Sequence, residues 1–153
     1  MGTTIPRGTG IQKIKKLDRA ADAQKGRQVF ISYCTNCHGI NGAGLKDSSG
    51  NGSYQYPPLW GKNSYNMSAG LYRISNLAGF VKNNMPNTIS YKNPVLSDEE
   101  AWDVAAYINS QEHPDKKWST DWPDISKKPF DHPFGPYADS LTEKQHKYGP
   151  WKQ

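Results

Sequence analysis

Cys34 and Cys37 are the only two cysteines of the 153-residue chain, and His38 directly follows the second. Cys34-Thr35-Asn36-Cys37-His38 has the spacing of a c-type haem attachment motif. Each thiol can add across one vinyl group of a porphyrin, and the adjacent imidazole can reach the iron from the proximal side. With both thiols used this way, none remains for a disulfide or a separate thiolate. Two other uses of the same residues fit less well. A thioredoxin-like redox pair requires a βαβ context that the flanking sequence lacks. A zinc site from Cys34, Cys37 and His38 has no clear fourth ligand, and its histidine is too close for finger spacing.

A haem held by His38 raises the question of the opposite face of the iron. Met85 lies 47 residues after His38 on a Met85-Pro86 step between two expected helices, and is the leading candidate. Met67 is its rival, and Lys82 is a further alternative that would first have to lose its proton. His113, His132 and His146 all fall near the C-terminus. A thioether favours ferrous iron and raises the reduction potential. It also fills the second axial position, which argues against catalysis at the iron. On the proximal side, Pro57-Pro58 frees a carbonyl from ladder pairing, because proline has no N–H. The Pro57 carbonyl is expected to accept the second ring N–H of His38, fixing the tautomer. Leu59 and Trp60 are expected at the porphyrin edge.

The elements that must position these groups are mostly helical. Asp22 is a good N-cap, and Gly26, Val29, Phe30 and Tyr33 then repeat on one helical face leading into Cys34. A glycine on that face permits a second helix to cross closely. Residues 39–53, rich in glycine, asparagine and serine, read as loop. Ser68 is expected to cap a short helix through Ile74, and Asn76 a second one through Lys82. Pro86 ends helix at the preceding residue. Ser97-Asp98-Glu99-Glu100 forms a capping box for a helix to about Ser110. Ala101, Val104, Ala105 and Ile108 share one stripe of that helix, the natural partner of Gly26 and Phe30.

Six of the eleven prolines and seven large aromatics lie in 111–153. No helical or strand period runs through them, but so many aromatics argue for an ordered strap rather than a free tail. Only 141–146 looks briefly helical. The expected organisation is a basic arm at 1–21, a body at 22–110 and the strap at 111–153. Hydrophobic residues make up 35% of the chain and mean hydropathy is −0.86. Such a lean core benefits from an apolar prosthetic group. The net charge of +5 lies wholly in residues 1–33, which carry seven Lys or Arg against two acids. The arm is either a solvated terminus or a steering element for an acidic redox partner or an anionic surface. Nothing points to nucleic acid. No run is long enough to span a membrane. Covalent haem is attached outside the cytoplasm, so the chain is expected to be a mature periplasmic form, its export signal removed.

The haem motif, Pro57-Pro58-Leu59-Trp60-Gly61, Met85-Pro86 and the Ala105–Ile108 helix together resemble a class I cytochrome c over about residues 22–110. That resemblance implies an all-α fold around one covalent haem, with Met85 distal and the first and last helices crossing. Leu96–Gln111, Pro129–Asp139 and Gln145–Pro150 further resemble the electron-transfer haem domain of the thiosulfate dehydrogenase family. Those enzymes carry two haems, and their catalytic one has a cysteine thiolate ligand. This chain has one motif and no third cysteine. The resemblance therefore implies a monohaem electron carrier, with a subunit or domain of a thiosulfate-oxidising enzyme as the alternative. A haem sensor or peroxidase is the third reading.

Overall fold

A computed structural model of the chain describes residues 13–86, 93–115 and 122–152. Helix α1 (Ala23–Tyr33) begins where Asp22 accepts the free N–H groups of Gln24 and Lys25 at 2.8 and 3.1 Å. Its inner face is Gly26, Val29 and Phe30. Tyr33, expected on that face, is 42% exposed, because the chain there turns away into the next element. That element is a single helical turn, α2 (Thr35–His38).

The stretch after His38 is not wholly loop. Strands β1 (Leu45–Lys46) and β2 (Tyr54–Tyr56) pair antiparallel, with Leu45 opposite Tyr56. The two expected helices are instead one 3-10 turn and one longer α-helix. Gly70–Tyr72 is a 3-10 turn, and α3 (Ile74–Asn84) runs unbroken to the residue before Met85. Neither Ser68 nor Asn76 caps it. Ser68 gives its N–H to the Asn66 side chain, Asn76 reaches back to Gly70 O, and the extended Arg73 occupies the N-cap position.

Helix α4 (Asp98–Ser110) starts with the expected capping box between Ser97 and Glu100. It packs against both α1 and α3. The α1–α4 crossing is so close that a Cβ on Gly26 would stand 1.8 Å from the Asp103 carbonyl oxygen. Phe30 and Tyr107 meet beside this contact, ring centres 5.5 Å apart. Phe30, Leu77, Ala78, Val104, Ala105 and Ile108 belong to one core.

The strap closes the other side of α4. Its helix α5 (Glu143–Tyr148) is capped by Thr142 and Gln145. Trp151 packs on the fully buried Trp102, with ring centres 5.1 Å apart, and Phe130 meets Trp151 edge-on. The Trp102 indole donates to Lys15 O at 2.8 Å, and Ala21 N–H to Tyr148 O at 2.8 Å, so residues 15–21 and the strap run together over α4. Arg19 grips the buried Asp103 by two bonds of 2.8 Å, and Asp103 Oδ1 also accepts Asp22 N–H. Trp118 and residues 1–12 of the arm lie outside the described residues. Among those described, no helix is long and apolar enough to cross a membrane.

Candidate haem site

The turn of α2 sets the geometry of the motif. Cys34 O accepts the N–H of His38 at 2.9 Å, so Cys34, Cys37 and His38 stand at i, i+3 and i+4 on one helical face. Both cysteines are free thiols and half-buried. Burial, and secondarily the neighbouring Cys37, push the Cys34 thiol up to about 11. An unattached Cys34 would therefore be a protonated thiol, the reverse of the electropositive setting that favours a thiolate. Among the described residues no three His, Cys, Asp or Glu side chains converge as a metal-holding cluster.

His38 is 7% exposed, and its Nδ1 lies 2.8 Å from the Pro57 carbonyl oxygen. A carbonyl can only accept, so Nδ1 carries the proton and Nε2 keeps its lone pair. Burial holds the ring below the ordinary histidine range, outweighing the opposite pull of the Pro57 bond. A neutral imidazole with one committed nitrogen and one available is the donor that an iron requires.

Two glycines hold Pro57 against His38. Gly44 donates to His38 O at 2.8 Å, with φ of +72°. A Cβ there would lie 2.3 Å from Tyr56 O and 2.7 Å from Pro58 N. Gly42, also at positive φ, accepts the N–H of Leu59 at 2.8 Å and supports the Trp60 ring, which a Cβ would meet at 2.5 Å. In the sequence these glycines read as loop. The sign of their role was their position between the histidine and its proline acceptor. Leu59 and Trp60 are both half-buried against the core. Trp60 packs on Phe30 and edge-on to Tyr107, at 5.0 and 5.6 Å between centres, so it ties the site to the α1–α4 crossing.

Met85, the expected distal ligand, is the residue at which α3 ends. Its N–H caps the helix on Val81 O at 2.9 Å, and it packs half-buried against the core. Lys82, His113 and His146 are engaged elsewhere. Lys82 donates to Leu96 O at 2.7 Å and pairs with Asp98 at 3.0 Å. His113 Nε2 bonds Ile108 O, while its Nδ1 faces Tyr65 O and Ser64. His146 is bonded through both ring nitrogens, to Phe130 O and Asp139, and His132 Nδ1 to Phe134 O. Met67 sits half-buried where its N–H meets Pro114 O.

These features fit a porphyrin bound through two thioethers: paired thiols on one turn, a neutral histidine with one nitrogen to give, and an apolar surround. A first and last long helix crossing at a glycine, with this motif at the end of the first, define a class I c-type cytochrome. The cytochrome c family profile matches residues 23–112, and the chain belongs to that family. Its cofactor is covalent c-type haem, and a protein of this family works with redox partners.

The chain is 42% identical over 113 residues to a thiosulfate dehydrogenase of Stutzerimonas stutzeri, covering 74% of this chain and 34% of that protein. It is 36% identical over 138 residues to one of Thiomonas intermedia, covering 90% of this chain and 42% of that protein. The thiosulfate dehydrogenase TsdBA of Marichromatium purpuratum superimposes with a TM-score of 0.60 at 38% identity, over 69% of this chain and 21% of that one. The chain thus spans about two fifths or less of the length of these relatives.

Proposed function

We propose that this chain is a monohaem carrier passing single electrons between redox proteins. Cys34 and Cys37 anchor the porphyrin, His38 and Met85 face the iron, and Pro57, Leu59 and Trp60 complete the surround. The bound haem supplies one chemistry, a one-electron change between ferric and ferrous iron. The chain supplies the rest. His38 donates its Nδ1–H in a hydrogen bond to Pro57 O, which keeps Nε2 basic and the ring fixed. The apolar core excludes water from one side.

The observation that carries this reading is the position of Met85 at the end of α3, while Lys82, His113 and His146 are held in other bonds. Two protein ligands leave no open position for a substrate at the iron, which favours a carrier over a sensor or peroxidase. The relatives' names support a role in oxidising sulfur compounds, and covalent haem attachment supports a periplasmic location. The partners are then acidic redox proteins or a haem enzyme subunit. A second reading follows from the fraction of each relative that is matched: the chain serves as the electron-carrying unit of a larger thiosulfate-oxidising enzyme.

The test is the methionine–iron charge-transfer band of the oxidised holoprotein. Met85→Ala removes it and lowers the potential, and Met67→Ala leaves it intact. The reverse pattern, or carbon monoxide binding to the untreated ferrous wild type, overturns the ligand set. Turnover of thiosulfate with a redox dye by this chain alone overturns the carrier reading.

A further inference from the structure

Helix α3 begins without a capping side chain of its own, since Arg73 stands at its N-cap position. An uncapped helix start leaves backbone N–H groups unpaired, which is costly when buried. The Ser75 N–H instead donates to Asp131 Oδ2 at 2.9 Å, across 56 residues of chain. Asp131 is 0% exposed. Its other oxygen takes Arg73 Nε at 2.8 Å and Nη2 at 2.7 Å. One carboxylate from the strap therefore caps the helix and neutralises the residue that precedes it.

The far end of the same helix carries Met85. Two more bonds fix that end: Met85 N–H to Val81 O, and Lys82 Nζ to Leu96 O. An 11-residue helix is a stiff rod about 16 Å long. A loose start would let it pivot, and a thioether is a weak iron ligand that small displacements detach.

We infer that Asp131 is a positioning residue for the distal ligand: by capping α3 through Ser75 and pairing with Arg73, the strap holds the Met85 thioether at the iron. This rests on the proposal that Met85 is the ligand. On this view the strap is part of the redox apparatus, because its removal changes ligand occupancy as well as stability. The neighbouring His132 belongs to the same segment, which packs its ring near Trp122 and Phe134.

The experiment uses the full-length holoprotein with Asp131→Ala and Asp131→Asn. Asparagine keeps an oxygen for the Ser75 N–H but loses the ion pair with Arg73, and it is the milder variant should alanine fail to fold. Three quantities are read: the methionine–iron band, carbon monoxide binding to the ferrous form, and hydrogen exchange of the 74–84 amides. The expected result is a weaker band, with carbon monoxide binding enhanced about tenfold in the alanine variant, as for loss of one charged hydrogen bond. The asparagine variant falls between it and wild type, and α3 amides exchange faster in both. Band and carbon monoxide binding at wild-type levels in a variant that only melts earlier overturn the inference. Failure of the underlying ligand reading looks different: the band then survives Met85→Ala.

Discussion

Pro57 O lies 2.8 Å from His38 Nδ1, joining two residues nineteen apart in the chain. Gly44 supports this bond: its N–H donates to His38 O, and without a side chain it lies against the Tyr56–Pro58 backbone, at a positive φ that other residues adopt only with strain. The His38 ring is thus oriented by a backbone device.

Gly44→Ala is expected to disturb the site although His38 and Pro57 themselves are unchanged. The added Cβ meets backbone atoms that cannot rotate aside, at a cost of about 1–3 kcal/mol including the strained φ. The Pro57 carbonyl shifts and the His38 ring loses its fixed hydrogen bond, becoming a weaker donor to ferric iron, so the reduction potential rises while the urea midpoint falls. A voltammetric titration beside an unfolding curve checks this. An unchanged potential in a destabilised protein would show that the carbonyl contact does not tune the histidine.

At the helix crossing, Gly26→Ala brings two opposed effects. Alanine is the better helix former by about 1 kcal/mol, but its Cβ would sit 1.8 Å from Asp103 O. Overpacking against backbone wins, and a net loss of about 2–3 kcal/mol is expected. Because Phe30, Tyr107 and Trp60 share that contact, tryptophan fluorescence changes together with stability. A stabilised variant would mean that α1 and α4 can separate freely.

Acid should loosen the strap. His132 is 8% exposed, and burial is the first cause of its lowered pKa, with Lys128 and Arg73 adding and Phe134 O and Asp131 opposing. A histidine depressed in the fold contributes stability above its unfolded value, near 6.5. That contribution is lost as pH falls from there towards the folded value, because the unfolded chain takes up the proton first. Urea midpoints between pH 7.5 and 5.5 should therefore fall, and less so in His132→Gln. Equal slopes for the two proteins would remove His132 from the account.

Electron exchange with an acidic partner is expected to slow with added salt. Arg19 contributes little to this, since its guanidinium is held by Asp103. Lys13, Lys15, Lys25 and Arg27 are exposed and remain for steering. Exposed charges are screened beyond about 8 Å at physiological ionic strength. Stopped-flow rates across a salt series check the slope, and a flat series favours an arm without a steering role.

The parts of the fold readable in the sequence are those fixed by local chemistry. Asp22, Ser97 and Glu100 cap their helices because capping involves neighbours within three residues. The stop at Met85 follows from the proline after it. The parts not readable depend on distant partners. Arg73 and Asp131 are 58 residues apart, and Arg19 and Asp103 are 84 apart. No spacing rule links such pairs. The start of α3 was misplaced for this reason: its cap comes from the strap. The strap showed its order through aromatic content, but not which helix it served.

Asp18 and Lys152 form an ion pair of 2.8 Å at the surface, and Ala21 is bonded to Tyr148 a few residues further in. Chain entry and chain exit therefore lie side by side, as in domains that tolerate insertion into other proteins. Polypeptide joined at either point would leave from the same place on the fold. A segment joined there would thus leave the helices around His38 in place.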